Sequence, residues 1–177
     1  MDQFKVHPAN PELSNKTGND TPGTACPVPG FLGLLKEEMT SVHEEILQSF
    51  KLDHGREIVK MVEAKGQKHV RTYKYGPYRL TGKFTVPENS ICTFIPLKSA
   101  DRSQDLSSPK ASYRVGQEVR EIVWQTESPF RLPAGSSLFI TDPSCRFLME
   151  RHVFESQPAA NENRGCEKYD HLISGAP

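Results

Sequence analysis

The chain has 177 residues, of which 36% are hydrophobic, and its 22 basic side chains balance 22 acidic ones to give a pI near 7.0. This length suits one domain with tails, and the neutral balance excludes a protein whose whole surface attracts nucleic acid. The sequence has no apolar run of about 18 residues, which excludes a helix that spans a membrane.

The cysteines and the first residues bear on the compartment. The four cysteines are far apart in the chain and form no C-x-x-C pair, which favours reduced thiols over a disulfide scaffold. The opening MDQFKVHPANPEL has no apolar stretch of the kind found in a signal peptide. We therefore expect a cytoplasmic protein.

The two ends of the chain have the composition of unfolded segments. Residues 1–30 contain five prolines among Asn, Thr and Gly, with almost no apolar periodicity, and are predicted to form a flexible arm. Residues 157–177, which read QPAANENRGCEKYDHLISGAP, are predicted to form a flexible C-terminal tail. Residues 31–156 are then a single core domain.

The core opens with an amphipathic pattern. Its apolar residues recur every three or four positions, which predicts a long helix over residues 31–52: Leu32, Leu35, Met39, Val42, Ile46 and Phe50. The acidic solvent face of this helix favours packing against the protein's own sheet over packing on an anionic membrane, and a partner helix stays an alternative. Residues 56–65 fit either a second helix or a first strand.

After the helix the period changes to two. Residues 79–86 alternate between apolar and polar side chains, and ICTFIPL at 91–97 is apolar on both faces, as expected for a central strand. Counting the later apolar segments gives about six or seven strands. The predicted fold is α+β: a mainly antiparallel sheet or sandwich with one long amphipathic helix packed on it and flexible tails.

The sequence lacks the short motifs of common enzymes. It contains no phosphate-binding glycine loop, no H-E-x-x-H, no G-x-S-x-G and no H-x-H pair, so no metal site and no cofactor are predicted. A nucleophilic Cys145 with His152 as its base is disfavoured, because seven residues of extended strand separate them by more than roughly 20 Å. An enzyme would instead need a pocket where His54, His69 or His152 meets Cys145 or a carboxylate.

A basic segment interrupts the neutral background. Residues 64–87 contain no acidic side chain. On an exposed hairpin this segment would form a lipid- or nucleic-acid-binding surface. The alternative is an ordinary solvated face of a sheet. The cations and the tyrosines between them that carry this prediction are Lys65, Lys68, Arg71, Lys74, Arg79 and Lys83 with Tyr73 and Tyr75.

The C-terminal segment carries a possible linear motif. Tyr169 and Leu172 form a Y-x-x-Φ pattern, which trafficking and budding adaptors recognise in unfolded segments.

This layout of a proline-bearing arm, one α+β core, a basic aromatic segment and a tail motif resembles the short matrix proteins of plant-infecting rhabdoviruses, the cytorhabdovirus kind. The resemblance implies a non-enzymatic structural protein of the virion that condenses the nucleocapsid, lines the membrane and self-associates through its arm. Residues 65–83 would then face the acidic membrane or the nucleocapsid, and no small-molecule substrate is expected. An intracellular adaptor that binds another protein is the alternative function, and an enzyme whose site has no visible motif is the second alternative.

Overall fold

The computed structural model describes residues 4–99 and 110–156, without the side chains of residues 51–53, 142 and 143. In chain order the described elements are β1 (Lys5–Val6), α1 (Pro11–Gly18), β2 (Ala25–Pro27), β3 (Leu34–Glu37), α2 (Ser41–Glu63), β4 (Gln67–Thr85), β5 (Ser90–Pro96), β6 (Ala111–Val115), β7 (Glu118–Ile122), β8 (Phe130–Leu132) and β9 (Ser137–Ser156).

These strands form one antiparallel sheet with the order β1-β8-β5-β9-β4-β3-β2, and β6 joins it by pairing with β9 and β7. The two longest strands, β4 and β9, pair with each other over most of their length, and three register shifts interrupt their ladder. Each shift bends the strand and increases its twist. The β4–β9 ribbon is therefore bent rather than flat.

The two faces of the sheet bury different apolar clusters. The larger cluster, on the face away from α2, includes Phe94 of β5 and Phe147 and Met149 of β9. On the opposite face, Leu148 packs beneath the first half of α2, and Phe154 packs beneath its second half. The main contacts of α2 with the sheet are with β4 and β9. The predicted mainly antiparallel sheet is thus confirmed, and α2 packs on one of its faces.

The predicted helix boundaries are wrong. The helix begins at Ser41 and not near residue 31, because residues 34–37 form strand β3, which pairs with β4 on one side and with β2 on the other. Gly33 explains the difference: it has a φ of +75°, and a Cβ there would lie 1.9 Å from the carbonyl oxygen of Thr81. Only glycine fits so close to β4, and a turn at this position ends any helical path. The ambiguous residues 56–65 mostly continue α2, which ends at Glu63.

The flexible arm predicted for residues 1–30 is also wrong for residues 5–27, which form β1, α1 and β2. The side chain of Asn10 caps α1, and Leu13 is fully buried against Ile46 and Leu47 of α2. The prediction of a single helix fails for the same reason. Residues 157–177, with Tyr169 and Leu172, lie outside the described residues, so their predicted roles stay predictions.

A buried ion network ties this N-terminal segment to the sheet. The Arg146 guanidinium donates to Asp20 Oδ2 and to Glu37 Oε2, both at 2.6 Å, and all three side chains are buried. His43 Nε2 donates to Asp20 Oδ1 at 2.7 Å, since the Nδ1 of His43 accepts the Thr40 backbone N–H at the start of α2. The network therefore connects the segment after α1 with β3, β9 and α2.

The acids of this network are held ionised. Burial acts to raise the pKa of Asp20, but the hydrogen bonds from His43 and Arg146 outweigh it and leave that pKa below its ordinary value. The pKa of Glu37 is likewise lowered despite burial, because Arg146 and Arg79 donate hydrogen bonds to it. Both carboxylates thus carry the charge that Arg146 requires.

Candidate functional site

The predicted basic residues do not share one surface, because alternate residues of β4 face opposite sides of the sheet. Lys74 of β4 lies opposite Glu150 of β9 in the strand register, and both residues line the side of the sheet that faces α2. On the other side, the Arg71 guanidinium lies 5.7 Å from the ring centroid of Tyr73, and the Tyr73 and Tyr75 rings stack with centroids 5.8 Å apart. Arg71, Tyr73 and Tyr75 thus form a separate stack.

The other predicted cations lie elsewhere. Arg79 is drawn into the buried ion network, where its Nε donates to Glu37 and its side chain is only 23% exposed. Lys83 lies near the end of β4, with its ammonium 5.7 Å from the ring centroid of Phe139. Lys65 and Lys68 lie at the opposite end, in the turn after α2 and at the start of β4. Of the three lysines Lys65, Lys68 and Lys74, Lys74 lies on the side of α2 and Lys65 lies at the end of α2. Lys68 precedes His69, which contacts Thr72 and His152 on the side of α2, so Lys68 projects from the other face of the sheet, opposite Glu155.

A cleft of about 730 Å³ lies beside that half of α2, between the helix and strands β4 and β9. Five of its lining residues come from α2, two from β4 and two from β9: Gly55, Arg56, Val59, Lys60, Glu63, Thr72, Lys74, Glu150 and His152. Residues 56, 59, 60 and 63 have the spacing that places side chains on one face of a helix. The rim of the cleft therefore combines cations of α2 with a cation of β4.

Arg56 and Lys60 are available for a ligand. Within residues 4–99 and 110–156, neither side chain forms an ion pair. The sequence did not reveal either residue, because residues 56–65 fit both a helix and a strand. Had the helical period been extended through Ile58 and Val62, which are buried against the sheet, both cations would have fallen on the adjacent face.

Two buried polar side chains lie deepest in the cleft. Glu150 and His152 are each 3% exposed and project from the same face of β9, with Glu150 Oε2 3.8 Å from His152 Nε2. In the described part of the chain, Glu150 Oε1 and His152 Nε2 have no hydrogen-bond partner. Thr93 Oγ1, on the residue paired with Glu150 across the sheet, has none either. An unsatisfied buried polar group costs about 1–3 kcal/mol, so these atoms require hydrogen-bonding partners from water or from a ligand.

Hydrogen bonds connect this floor to the outside. His152 Nδ1 lies 3.0 Å from Thr72 Oγ1, which lies 3.1 Å from His69 Nε2. Burial, and the nearby His152, lower the pKa of His69, so this ring is mainly neutral at pH 7. A neutral imidazole both donates and accepts, so the chain His69–Thr72–His152 has the polarity needed to pass a proton.

Cys145 does not join this site. It lies on the opposite face of β9, in the larger apolar cluster, where burial raises the pKa of its thiol to about 12. His152 instead meets the carboxylate of Glu150, the arrangement expected of the enzyme alternative. Among the described residues no group of His, Cys, Asp and Glu is arranged to hold a metal ion, and no helix is both long and apolar enough to cross a membrane.

Comparisons with known proteins place few constraints on this site. No protein-family model matches the chain, and no curated protein matches its sequence. Among solved structures, the chain is similar to RmlC from Streptococcus suis, solved in complex with dTDP-D-xylose, at 10% identity over 75% of this chain and 72% of that chain, with a TM-score of 0.29. This similarity is too low to support an inference about this chain.

Proposed function

We propose that the protein is a non-enzymatic binding module that attaches to acidic, phosphate-bearing membrane surfaces through the cleft between α2 and the β4–β9 ribbon. The observation that carries this proposal is the pair of unpaired cations on α2, Arg56 and Lys60, opposite Lys74 of β4. Lys65, in the turn after α2, adds a cation beyond the end of the helix.

The expected binding strength is modest and depends on salt. A Lys or Arg near an acidic membrane contributes about 1 kcal/mol, and this contribution decays within a Debye length of about 8 Å at physiological ionic strength. Arg56, Lys60, Lys65 and Lys74, offset by Glu63 and Glu150, therefore supply roughly 2 kcal/mol. This supports a weak, reversible association, and it requires no spanning helix.

The proposal keeps one part of what the matrix-protein resemblance implies, the attachment to membrane. It leaves out self-association through a flexible arm, because residues 5–27 belong to the sheet and helices of the fold. It also replaces the predicted surface, residues 65–83, by Arg56, Lys60, Lys65 and Lys74. Arg79 is committed to Glu37, and Lys68 lies on the other face of the sheet.

Co-sedimentation with vesicles tests the proposal. Wild-type protein is expected to bind phosphatidylserine-containing vesicles, to ignore purely phosphatidylcholine vesicles, and to dissociate as salt rises. Arg56→Glu with Lys60→Glu should abolish this binding, whereas the matched control Lys36→Glu with Lys83→Glu, which reverses two exposed cations outside the cleft, should retain it. Equal binding to neutral vesicles, or equal loss in both variants, would overturn the proposal. If RNA added at the same total negative charge as the vesicle lipid displaces the protein from the vesicles, the preferred ligand would be nucleic acid instead.

A second candidate function, acid–base catalysis, is favoured by the buried Glu150–His152 pair and its connection to His69. A buried carboxylate beside an imidazole is an arrangement that abstracts and returns protons. Incubation with a phosphorylated ketose in deuterium oxide tests this candidate. Deuterium beside the carbonyl with wild type, and none with Glu150→Gln, would support an enzyme, and no exchange with wild type would dismiss it for this substrate.

A further inference from the structure

The floor of the cleft has a different chemistry from its rim. An ionised carboxylate only accepts hydrogen bonds, and one oxygen of buried Glu150 has no donor in the described part of the chain. Phosphate is an anion at neutral pH and is repelled by a carboxylate such as that of Glu150. A hydroxyl group, in contrast, donates to a carboxylate and accepts from a neighbouring imidazole.

The unsatisfied polar atoms lie close enough together to bind more than one hydroxyl group of the same ligand. Glu150 and His152 are alternate residues of β9, and Thr93 is paired with Glu150 across the sheet, so all three project from the same face. Glu150 and His152 line the cleft and offer it a carboxylate oxygen and an imidazole nitrogen, while Thr93 is fully buried beside Glu150. Adjacent hydroxyls on a sugar or cyclitol ring match such a set, since each both donates and accepts.

The size of the cleft agrees with such a ligand. Its volume of about 730 Å³ falls within the range of roughly 300–1,000 Å³ for small-molecule sites. The rim supplies Arg56, Lys60 and Lys74 for phosphate groups, while the floor lies between the apolar clusters under the two halves of α2.

We propose that this cleft is a specific site for a phosphorylated polyol, with phosphate on Arg56, Lys60 and Lys74 and ring hydroxyls on Glu150 and His152. The inference rests on the proposed function for the cationic rim and adds the chemical class of the ligand. Two sources carry this chemistry: a soluble sugar phosphate and the headgroup of an inositol lipid.

Calorimetric titration with four probes tests the inference: inositol trisphosphate, a hexose phosphate, inorganic phosphate and unphosphorylated inositol. Wild-type protein should bind at least one of the two phosphorylated polyols about tenfold or more tightly than inorganic phosphate, and should bind free inositol weakly. Preference for inositol trisphosphate identifies a lipid headgroup, and preference for the hexose phosphate identifies a soluble ligand. Equal affinity for the phosphorylated polyols and phosphate would overturn the inference.

The variant Glu150→Gln separates hydroxyl recognition from simple charge. It removes a negative charge, so a purely electrostatic site should bind every phosphorylated probe more tightly. A site in which Glu150 accepts hydroxyl hydrogens should bind the preferred polyol phosphate about tenfold more weakly, while inorganic phosphate binds no more weakly than before. Thermal unfolding verifies that the variant is folded, and His152→Gln provides a second variant with the same expected loss.

The outcomes distinguish the two proposals. Salt-sensitive binding to phosphatidylserine vesicles without any preference for a phosphorylated polyol would leave the membrane proposal standing and reject the polyol site. Binding of neither vesicles nor phosphorylated probes would reject both.

Discussion

Arg146 is among the largest side chains that the fold buries completely, and its charge is balanced by Asp20 and Glu37. Removing one partner of a buried ion pair leaves an uncompensated charge, which typically costs about 3–5 kcal/mol. We expect Arg146→Met to lower the free energy of unfolding by about that amount in urea denaturation.

Arg120→Met is the control, because Arg120 pairs with Glu118 on the exposed surface of β7. An exposed pair contributes under about 1 kcal/mol. Equal losses in the two variants would mean that the network around Arg146 adds no more than a surface pair.

His7 gives the fold a pH dependence. Burial, then the charges of His54, Arg131 and Lys5, lower the pKa of His7 to about 3, while Glu57 opposes them. The unfolded chain, with a histidine pKa near 6.5, therefore binds the proton first as pH falls, so stability is full above pH 6.5 and decreases towards pH 3. We expect the unfolding free energy of wild type to fall between pH 7 and pH 5 more steeply than that of His7→Leu.

Between pH 7 and pH 5, His7 is the group whose contribution differs between wild type and His7→Leu. Asp20 and Glu37 have lowered pKa values and contribute stability that is lost only at more acidic pH. His69, whose pKa is also lowered, is present in both proteins and cancels. Parallel pH profiles for wild type and His7→Leu would contradict the account of His7.

At the scale of the elements, α2 contains a glycine that its conformation does not need. Gly55 lies in the interior of the helix without a positive φ, and an added Cβ would meet no atom within 4 Å. Glycine costs a helix interior roughly 0.5–1 kcal/mol relative to alanine. Gly55→Ala should therefore raise the unfolding free energy by about this amount in urea denaturation.

Gly66→Ala is the matched comparison, since a Cβ there also meets nothing within 4 Å but the residue has a φ of +70°. A side chain in this conformation costs roughly 1–2 kcal/mol. The two substitutions should therefore change stability in opposite directions, and a change of the same sign would refute the argument from φ.

The elements also show why the sequence revealed some of the fold and not the rest. ICTFIPL was assigned correctly, because β5 is buried on both faces and needs no partner to be recognised. Leu32 and Leu35 imitated helical spacing, although Leu35 lies in a strand set by the turn at Gly33. The short strands β1 and β2 form only by pairing with β8 and β3, so no local pattern announces them.

The site was harder to predict than the fold. The sequence predicts Lys74 as an anion-binding residue. That it faces Arg56 and Lys60 across a cleft depends on how α2 lies against β4, which the sequence does not show. From the sequence, His152 is a candidate to meet a carboxylate, but the sequence does not single out Glu150 as that carboxylate. Their period-two spacing within RFLMERHVF was the available signal, because it puts both polar groups on one buried face.

At the scale of the whole molecule, the N-terminal segment is part of the core. Deleting residues 1–20 would remove the buried Leu13, which is worth about 2–5 kcal/mol, and the Asp20 partner of Arg146, worth about 3–5 kcal/mol. The sum is comparable to the whole stability of a domain. We expect the truncated chain to lose cooperative thermal unfolding by circular dichroism.

Glu12→Ala, at an exposed position of α1, is the control. Its free energy of unfolding should stay within about 0.5 kcal/mol of the wild-type value. A truncated chain that unfolds cooperatively with nearly unchanged stability would show that residues 1–20 are an appendage after all.

The distribution of charge over the molecule leads to the central claim. The chain is neutral overall, yet Arg56, Lys60 and Lys74 line one cleft and Lys65 lies at the end of the helix that forms it. A neutral protein binds an acidic surface only in the orientation that presents such a region. Attachment should therefore be confined to this part of the molecule.

Mapping of backbone amide chemical shifts, with and without acidic short-chain phosphatidylserine micelles, is the most direct test. The account predicts that the perturbed amides lie in residues 55–74 and at Glu150 and His152, and that they recover as salt is added. Perturbations centred on the β6–β7 hairpin or on the Phe31–Leu32 turn, with residues 55–74 unchanged, would contradict it.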